Sequence, residues 1–342
     1  MSFVQPGRPE RGVETREIPR VALRTVAEAL GDVTEDDRAG EHCISTVYRP
    51  RHPLDLRETL SPLARGGDGP GFRRTIDGAW VTFLTPEGAA TLHLAQRTAD
   101  VQATAWGPGA AWAIDGVPEL LGDTDDWSDL DVSAHPPLAE VWRRNPGVRL
   151  SRNRRVFEML VPSIIEQKVT CTEAWRSWRL LVRRHGTPAP GPAPEGMWVA
   201  PDAASWRRIP SWEWHAVGVG PQRAQTVVRT SRVADALERT IGESAATASA
   251  RLQSLPGIAA WTAAEVTSRA HGDPDAVSVG DFHLAASVGC ALVGEPVDDD
   301  AMLELLEPWA GQRQRLLRLI ALSGIRKPRR GPRITRQDHR WH

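Results

Sequence analysis

The sequence predicts an α+β protein in which a small antiparallel sheet precedes an all-α region. After position 44, short runs such as ISTVY, TLHLAQ and VQATAW alternate apolar and polar residues and are separated by turn residues. After Pro136 and Pro137, apolar residues recur at helical spacing instead. The change in period divides the chain into a small α+β domain over residues 44–135 and a helical domain over residues 136–325.

The individual patterns predict the helices in order along the chain. Apolar spacing, capping residues and Pro or Gly breaks indicate helices at 54–63, 156–169, 173–185, 221–237, 246–254, 261–270, 281–293 and 299–323. The segment 187–195 is rich in Pro and Gly and is predicted to be a loop.

The two ends differ in composition from the centre. Residues 1–43 are rich in charge and lack sustained periodicity beyond residues 21–30, so we expect a mostly disordered leader with one short helix. Residues 326–342 hold seven basic residues and one acid. This basic tail is either an extension attracted to DNA or a solvated segment without a partner.

The bulk composition restricts the class of protein. The 342 residues, 41% hydrophobic and 25% charged, are enough to bury one or two cores. No apolar run approaches the roughly 18 to 20 residues that span a bilayer, so we expect neither secretion nor membrane insertion. Cys43, Cys171 and Cys290 are far apart, which predicts no disulfide framework and a reducing, cytoplasmic setting.

Basic residues are concentrated in one part of the chain. Residues 143–184 carry eleven basic residues against three acids. This segment is either a surface that faces an anion or a consequence of the general arginine bias of the composition.

The string LQSLPGIAAWTAAEV, residues 252–266, contains a helical hairpin. Pro256 and Gly257 break the chain between two helical patterns, and the second helix starts near Trp261. Backbone N–H groups at such a start can hold a phosphate oxygen, although a purely structural turn is the commoner use of a helical hairpin.

The residues of this string also resemble a motif of a known family. LPGIAAWTA resembles the LPGIGxWTA hairpin of helix-hairpin-helix DNA glycosylases, and Asp281 lies at that family's usual distance. The chain is similar to the 3-methyladenine DNA glycosylase II family within this superfamily. FEMLVPSIIEQKVT, GVGPQRAQTV, YRPRHPLDL and the pair Trp309 and Arg313 (with Gly311 at a family proline) extend the likeness over residues 44–325.

The resemblance implies a small α+β domain followed by an all-α helix-hairpin-helix glycosylase domain that acts in DNA repair. It implies base flipping from double-stranded DNA and hydrolysis of the N-glycosidic bond of a damaged, alkylated purine, leaving an abasic site. Trp261 stands where glycosylases that also cleave the backbone place a Schiff-base lysine, which implies a monofunctional enzyme. We expect a monomer, no cofactor and no metal, because three scattered cysteines cannot hold a four-cysteine cluster.

The family pattern assigns roles to individual residues. Asp281 is the expected catalytic carboxylate and is equally suited to cap a helix, while Asp275, the rival carboxylate, has the setting of a turn residue. Trp261 would stack on the extruded base or belong to the core. Gln167 is expected in the base pocket, where it would either hydrogen-bond to the DNA or cap a buried polar pocket. The expected DNA contacts are Lys168, Pro256, Gly257, Ile258, Ala259 and Thr262. Lys168 would either enter the gap left by the flipped nucleotide or be a solvated helix lysine.

The sequence also departs from the family. Ala259 replaces the second hairpin glycine, so its Cβ should resist a positive φ. Pro62, Glu265, Ala321 and Leu322 stand where the family has pocket aromatics. Two alternatives therefore stay open: a catalytically weak or inactive lesion-sensing DNA-binding protein, and a helical protein-interaction scaffold that uses the basic tail.

Overall fold

A six-stranded antiparallel sheet forms the first part of the computed structural model of the protein, which describes residues 34–36 and 43–326. The strands are β1 (Thr34–Asp36), β2 (Cys43–Tyr48), β3 (Phe72–Arg74), β4 (Ala79–Thr85), β5 (Gly88–Arg97) and β6 (Asp100–Trp106), in the order β1-β2-β6-β5-β4-β3. A two-stranded ribbon pairs β7 (Thr187–Pro188) with β8 (Trp198–Val199). The antiparallel sheet agrees with the sequence prediction.

The predictions for the ends lie almost entirely outside the described residues. The helix expected at residues 21–30 and the tail from 327 onward belong to that part of the chain. Strand β1 falls within the leader segment, where no strand was predicted. Thr34, Glu35 and Asp36 show no apolar alternation, and they form a strand through their pairing with β2.

The alternation of side chains along the central strands determines which face of the sheet is buried. Leu92 and Leu94 of β5 lie on one face and are fully buried, opposite Ala105 and Ala103 of β6. This face packs against helices, so the sheet is buried on the side that the apolar pattern indicates.

The described residues also form fifteen α-helices. They are α1 (Leu56–Thr59), α2 (Ala110–Asp115), α3 (Val117–Leu120), α4 (Pro136–Arg144), α5 (Val156–Ile165), α6 (Cys171–His185), α7 (Ala203–Arg208), α8 (Ser211–Ala216), α9 (Pro221–Thr230), α10 (Ala234–Glu238), α11 (Ala245–Gln253), α12 (Ala260–Ala270), α13 (Leu284–Leu292), α14 (Asp299–Leu306) and α15 (Arg313–Ser323).

Two apolar clusters hold these elements together. The larger joins the sheet to α5 and α12, and Leu160, Ile164, Ala263 and Val266 are completely buried within it. The second packs α4 against α13, α14 and α15 through residues such as Leu138 and Leu316. Helix α12 lies on α5 in the first cluster, while the chain after α12 crosses to the second. Residues between α12 and α13 therefore lie where the two clusters meet.

Six of the eleven basic residues in the arginine-rich segment form ion pairs within the protein. These ion pairs join Arg143 and Arg144 to Glu140, Arg152 to Glu119, Arg154 to Asp115, Arg155 to Glu238 and Arg179 to Asp68. Among the described residues, Lys168, Arg183 and Arg184 are exposed and have no ion pair. The surface that could face an anion in this segment therefore includes these three side chains.

Within residues 34–36 and 43–326, no helix has both the length and the apolar character required to cross a bilayer.

Candidate active site

The hairpin between α11 and α12 is held closely against α9. Gly257 has a φ of +94°, and a Cβ there would lie 2.6 Å from the Thr226 hydroxyl of α9. Any larger residue would therefore be strained and would also collide with α9. Ile258 donates its N–H to the Leu255 carbonyl at 3.0 Å and buries its side chain in the core. Pro256 and Gly257 stay exposed, so the turn presents main chain to solvent.

Ala259 begins the second helix without strain. Its backbone is extended, with a φ of −104°, so the expected conflict between a Cβ and a positive φ does not arise. The Ala259 side chain supplies no capping hydrogen bond to α12. The N-cap residue therefore offers no side-chain acceptor to the first N–H groups of this eleven-residue helix, and uncapped N–H groups at a helix start suit an anion such as a phosphate oxygen.

Gln167, in the loop between α5 and α6, holds the hairpin through two hydrogen bonds, which we call the clamp. Its amide donates to the Gly257 carbonyl at 3.0 Å and to the Thr262 hydroxyl at 2.9 Å. Both amide hydrogens are used in these contacts, so Gln167 supports the hairpin. Thr262 is 1% exposed, which leaves its side chain facing inward and not toward solvent.

Lys168 projects from the loop between α5 and α6. Its φ of +56° places it in the left-handed region, and its side chain is exposed. The predicted helix at 156–169 therefore ends early, at Ile165, and Lys168 lies at a sharp turn beside the clamp. A non-glycine residue in this conformation costs of order 1 to 3 kcal/mol, so the surrounding contacts must enforce it.

Asp281 lies just before α13 and next to the hairpin helix. Its Oδ1 accepts the N–H groups of His283 at 2.8 Å and Leu284 at 3.0 Å, which caps α13. Its Oδ2 lies 3.4 Å from the indole nitrogen of Trp261, which donates to it. The carboxylate is half-buried, oriented by main chain on one oxygen and directed toward Trp261 on the other.

Asp275 has a structural role. Its carboxylate accepts the N–H of Gly311 at 2.8 Å and that of Arg313 at 3.1 Å, and it forms an ion pair with the Arg313 guanidinium. Partial burial opposes ionisation of Asp275, but the Arg313 contacts outweigh it and lower the pKa. All its acceptor capacity is directed inward, which agrees with the prediction of a turn residue.

Four charged residues, which we call the charged cluster, lie beyond Trp261: Arg65, Glu166, Glu265 and Arg269. Glu265 follows Trp261 by one helical turn and accepts the Ser278 hydroxyl at 2.6 Å. Its other oxygen lies 2.9 Å from Arg269, whose Nε donates to the Pro62 carbonyl at 2.9 Å. The cluster thus connects α12 both to the loop before Asp281 and to the sheet-bearing part of the chain.

The second pair of the charged cluster is formed by Arg65 and Glu166. Arg65 is 7% exposed and its Nε lies 3.3 Å from Glu166, which also accepts the indole N–H of Trp175 at 3.1 Å. Partial desolvation raises the pKa of the Cys171 thiol, and the negative charges of Glu166, Asp281 and Glu265 raise it further.

The structure therefore brings Asp281, Trp261, Gln167, Lys168 and the hairpin together on one side of the molecule. Pro62 and Glu265 join this group through Arg269, whereas Ala321 is exposed on α15 and Leu322 packs on the second apolar cluster. Five residues near the site were not predicted as site residues from the sequence: Arg65, Glu166, Cys171, Trp175 and Ser278. The four-residue spacing of Glu265 and Arg269 was the one readable signal.

Among residues 34–36 and 43–326, no three His, Cys, Asp or Glu side chains are grouped so that they could hold a metal ion.

Comparison with known proteins finds the same fold in DNA glycosylases. The 8-oxoguanine glycosylase/lyase of Clostridium acetobutylicum, solved with double-stranded DNA, matches with a TM-score of 0.65 and 14% identity, covering 86% of this chain and 97% of the other. The 3-methyladenine DNA glycosylase of Archaeoglobus fulgidus matches with a TM-score of 0.66 and 15% identity, covering 81% and 98%. No family model and no curated protein matches the sequence. At this identity the comparison establishes the fold alone: the chain shares the fold of these two DNA glycosylases over most of its length.

Proposed function

We propose that the protein is a monofunctional DNA glycosylase that flips a damaged base out of double-stranded DNA and hydrolyses its N-glycosidic bond. The observation that carries the proposal is the placement of the Asp281 carboxylate, 3.4 Å from the indole nitrogen of Trp261 and next to an exposed helix-hairpin-helix turn. Breaking this bond develops positive charge on the sugar, and a fixed carboxylate stabilises that charge. The same carboxylate can orient or deprotonate the attacking water.

The DNA would lie across the hairpin. The uncapped N–H groups at the start of α12 would hold a phosphate oxygen, with Pro256, Gly257 and Ala259 supplying main-chain surface. Lys168, strained and exposed at its turn, would enter the gap left by the flipped nucleotide. Ile258 and Thr262 bury their side chains, so their contribution to binding is to fix the turn and any DNA contact from them would use the main chain.

The proposed substrate class is an alkylated purine. The Asp281 carboxylate places a negative charge next to Trp261, whereas Glu166 and Glu265 are paired with Arg65 and Arg269. A cationic alkylated base is attracted both by this charge and by the indole face of Trp261. Its glycosidic bond is also weakened already, which compensates for a site with one stacking aromatic where the family pattern has several.

A panel of duplexes, each with one lesion, tests the proposal. The lesions would be 3-methyladenine, 7-methylguanine, hypoxanthine, uracil and 8-oxoguanine, and the product measured is the abasic site. Release should be fastest for the two cationic bases. Release of neutral bases alone would contradict the alkylated substrate, and release of none, with saturable DNA binding, would favour a lesion-sensing protein.

The monofunctional assignment has its own test. Trp261 cannot form a Schiff base, so borohydride should trap no covalent adduct with DNA, and strand cleavage should require heat or added base after excision. A trapped adduct would overturn this assignment and implicate Lys168.

A further inference from the structure

A cavity of about 670 Å³ lies between α8 and α9, away from Asp281. Its walls are mainly apolar and include Ile209, Trp212, Trp214, Val219 and Val228. Trp212 stands at its edge with 71% of its surface exposed. A volume of this size accommodates a ligand or a protruding large side chain, and an exposed tryptophan beside such a cavity is typical of an anchor for a binding partner.

The border of the cavity is cationic. His215, Arg229 and Arg232 contribute to its lining, and no Asp or Glu does so among the described residues that form it. An apolar hollow with arginines on its border complements a segment that carries a large apolar side chain between acidic residues. The chain segment after residue 326 is itself rich in arginine, which makes it a poor occupant.

One border residue also contacts the hairpin. The Arg229 guanidinium donates to the Pro256 carbonyl at 3.0 Å, and α9 supports Gly257 through Thr226. A carboxylate bound at the border would compete with that carbonyl for Arg229. Occupation of the cavity would then weaken one of the contacts that hold the turn.

We propose that this cavity is a docking site for an acidic peptide segment of a partner protein, with a large apolar side chain as its anchor, and that its occupation weakens DNA binding at the hairpin through Arg229. Coupling of this kind is reciprocal, so DNA must weaken peptide binding by the same factor. A partner recruited in this way would promote release of the protein from its product.

Selection of random short peptides displayed on phage, using the purified full-length chain, tests the docking site. Enriched peptides should combine at least two acidic residues with an aromatic residue or leucine. The affinity of a synthetic copy should fall by about 30-fold in Trp212→Ala. Arg232→Glu should also weaken it, whereas the matched charge reversal Arg239→Glu, on an exposed residue outside the cavity, should not.

Coupling is measured by titrating labelled duplex DNA with and without saturating peptide, and by the reverse titration. Equal losses of affinity in both directions support the proposal. Peptides that bind Trp212→Ala and Arg232→Glu as well as the wild type would overturn it. Self-association lost in Trp212→Ala would replace the peptide with a second copy, and DNA binding weakened by these variants without peptide would make the cavity a DNA contact. Excision activity is not part of this readout, so failure here leaves the glycosylase proposal unaffected.

Discussion

At the residue scale, the two oxygens of Asp281 have different surroundings, and this difference distinguishes its capping contacts from its proposed catalytic role. Oδ1 accepts two main-chain N–H groups at the start of α13, while Oδ2 faces Trp261. Asparagine retains an oxygen acceptor for the cap and removes the negative charge. Charge and capping can therefore be separated by a single substitution.

Asp281→Asn should bind DNA as the wild type does and excise slowly. Loss of a preorganised electrostatic group costs roughly 3 to 4 kcal/mol of transition-state stabilisation, so single-turnover excision of a verified substrate should slow by about a hundredfold to a thousandfold. The matched control is Asp298→Asn, because Asp298 caps α14 through the Ala301 N–H at 3.0 Å and lies outside the site. A folded Asp281→Asn variant with the wild-type rate would refute the catalytic role.

At the element scale, the hairpin depends on a neighbour that belongs to a different part of the sequence. Gln167 lies 90 positions before Gly257 and connects the α5–α6 loop to the turn. Gln167→Ala removes two neutral hydrogen bonds, each contributing about 0.5 to 1.5 kcal/mol. The free energy of unfolding should fall by about 1 to 3 kcal/mol, measured by urea denaturation, and DNA affinity should fall several-fold on every sequence.

Gln253→Ala provides the comparison for this substitution. Gln253 is exposed on α11 and donates to Ser249 alone among the described residues, so its loss should change stability by less than about 0.5 kcal/mol. Equal effects of the two substitutions would show that the clamp contributes nothing specific to the turn.

Helices with a sustained apolar periodicity were predictable from the sequence. Their ends were predicted closely only where the turn residues were recognised. Helix α12 begins within one residue of its predicted start, because Pro256 and Gly257 fix the turn before it. The predicted helix 299–323 is two helices, because Pro308 ends one and Gly311, with a φ of +88°, redirects the chain before the other. The predicted loop 187–195 contains β7, whose two residues carry no pattern of their own and pair with β8.

Only the contiguous parts of the site could be inferred from the sequence. Asp281, Trp261 and the hairpin follow from one contiguous motif and its spacing. The charged cluster is assembled by tertiary contacts between residues up to about two hundred positions apart, as in the Arg269 contact with Pro62. Isolated charges such as Arg65 look like surface residues until the fold buries them.

At the scale of the whole molecule, one buried carboxyl joins the sheet to the helical core. Glu158 of α5 accepts the Leu84 N–H of β4 at 3.2 Å. Burial raises its pKa to about 7, although the Arg155 charge opposes the rise. The folded protein therefore retains this proton at pH values where the unfolded chain, with an ordinary pKa of 4.5, has released it. The stability that the protonated carboxyl contributes is present below pH 4.5 and declines up to about pH 7.

Glu158→Gln should remove this decline, because glutamine is neutral and can still accept the Leu84 N–H. The free energy of unfolding of the variant minus that of the wild type should grow across that pH range, by on the order of 3 kcal/mol in total. Denaturant unfolding at a series of pH values measures it. Burial lowers the pKa of His271 to about 4, which gives the opposite slope, but this contribution cancels in the difference. A difference that does not vary with pH would contradict the assignment.

The close seating of Gly257 on Thr226 has a consequence for protein engineering. A hairpin transplanted alone into another helical scaffold would arrive without the threonine that borders its glycine, the glutamine that bonds its carbonyl and the arginine that holds its proline. These three distant neighbours determine the conformation of the hairpin as much as its own residues do. Grafting should therefore succeed only when positions 167, 226 and 229 are transferred with it, which makes the unit of exchange a discontinuous set of helices and not a loop.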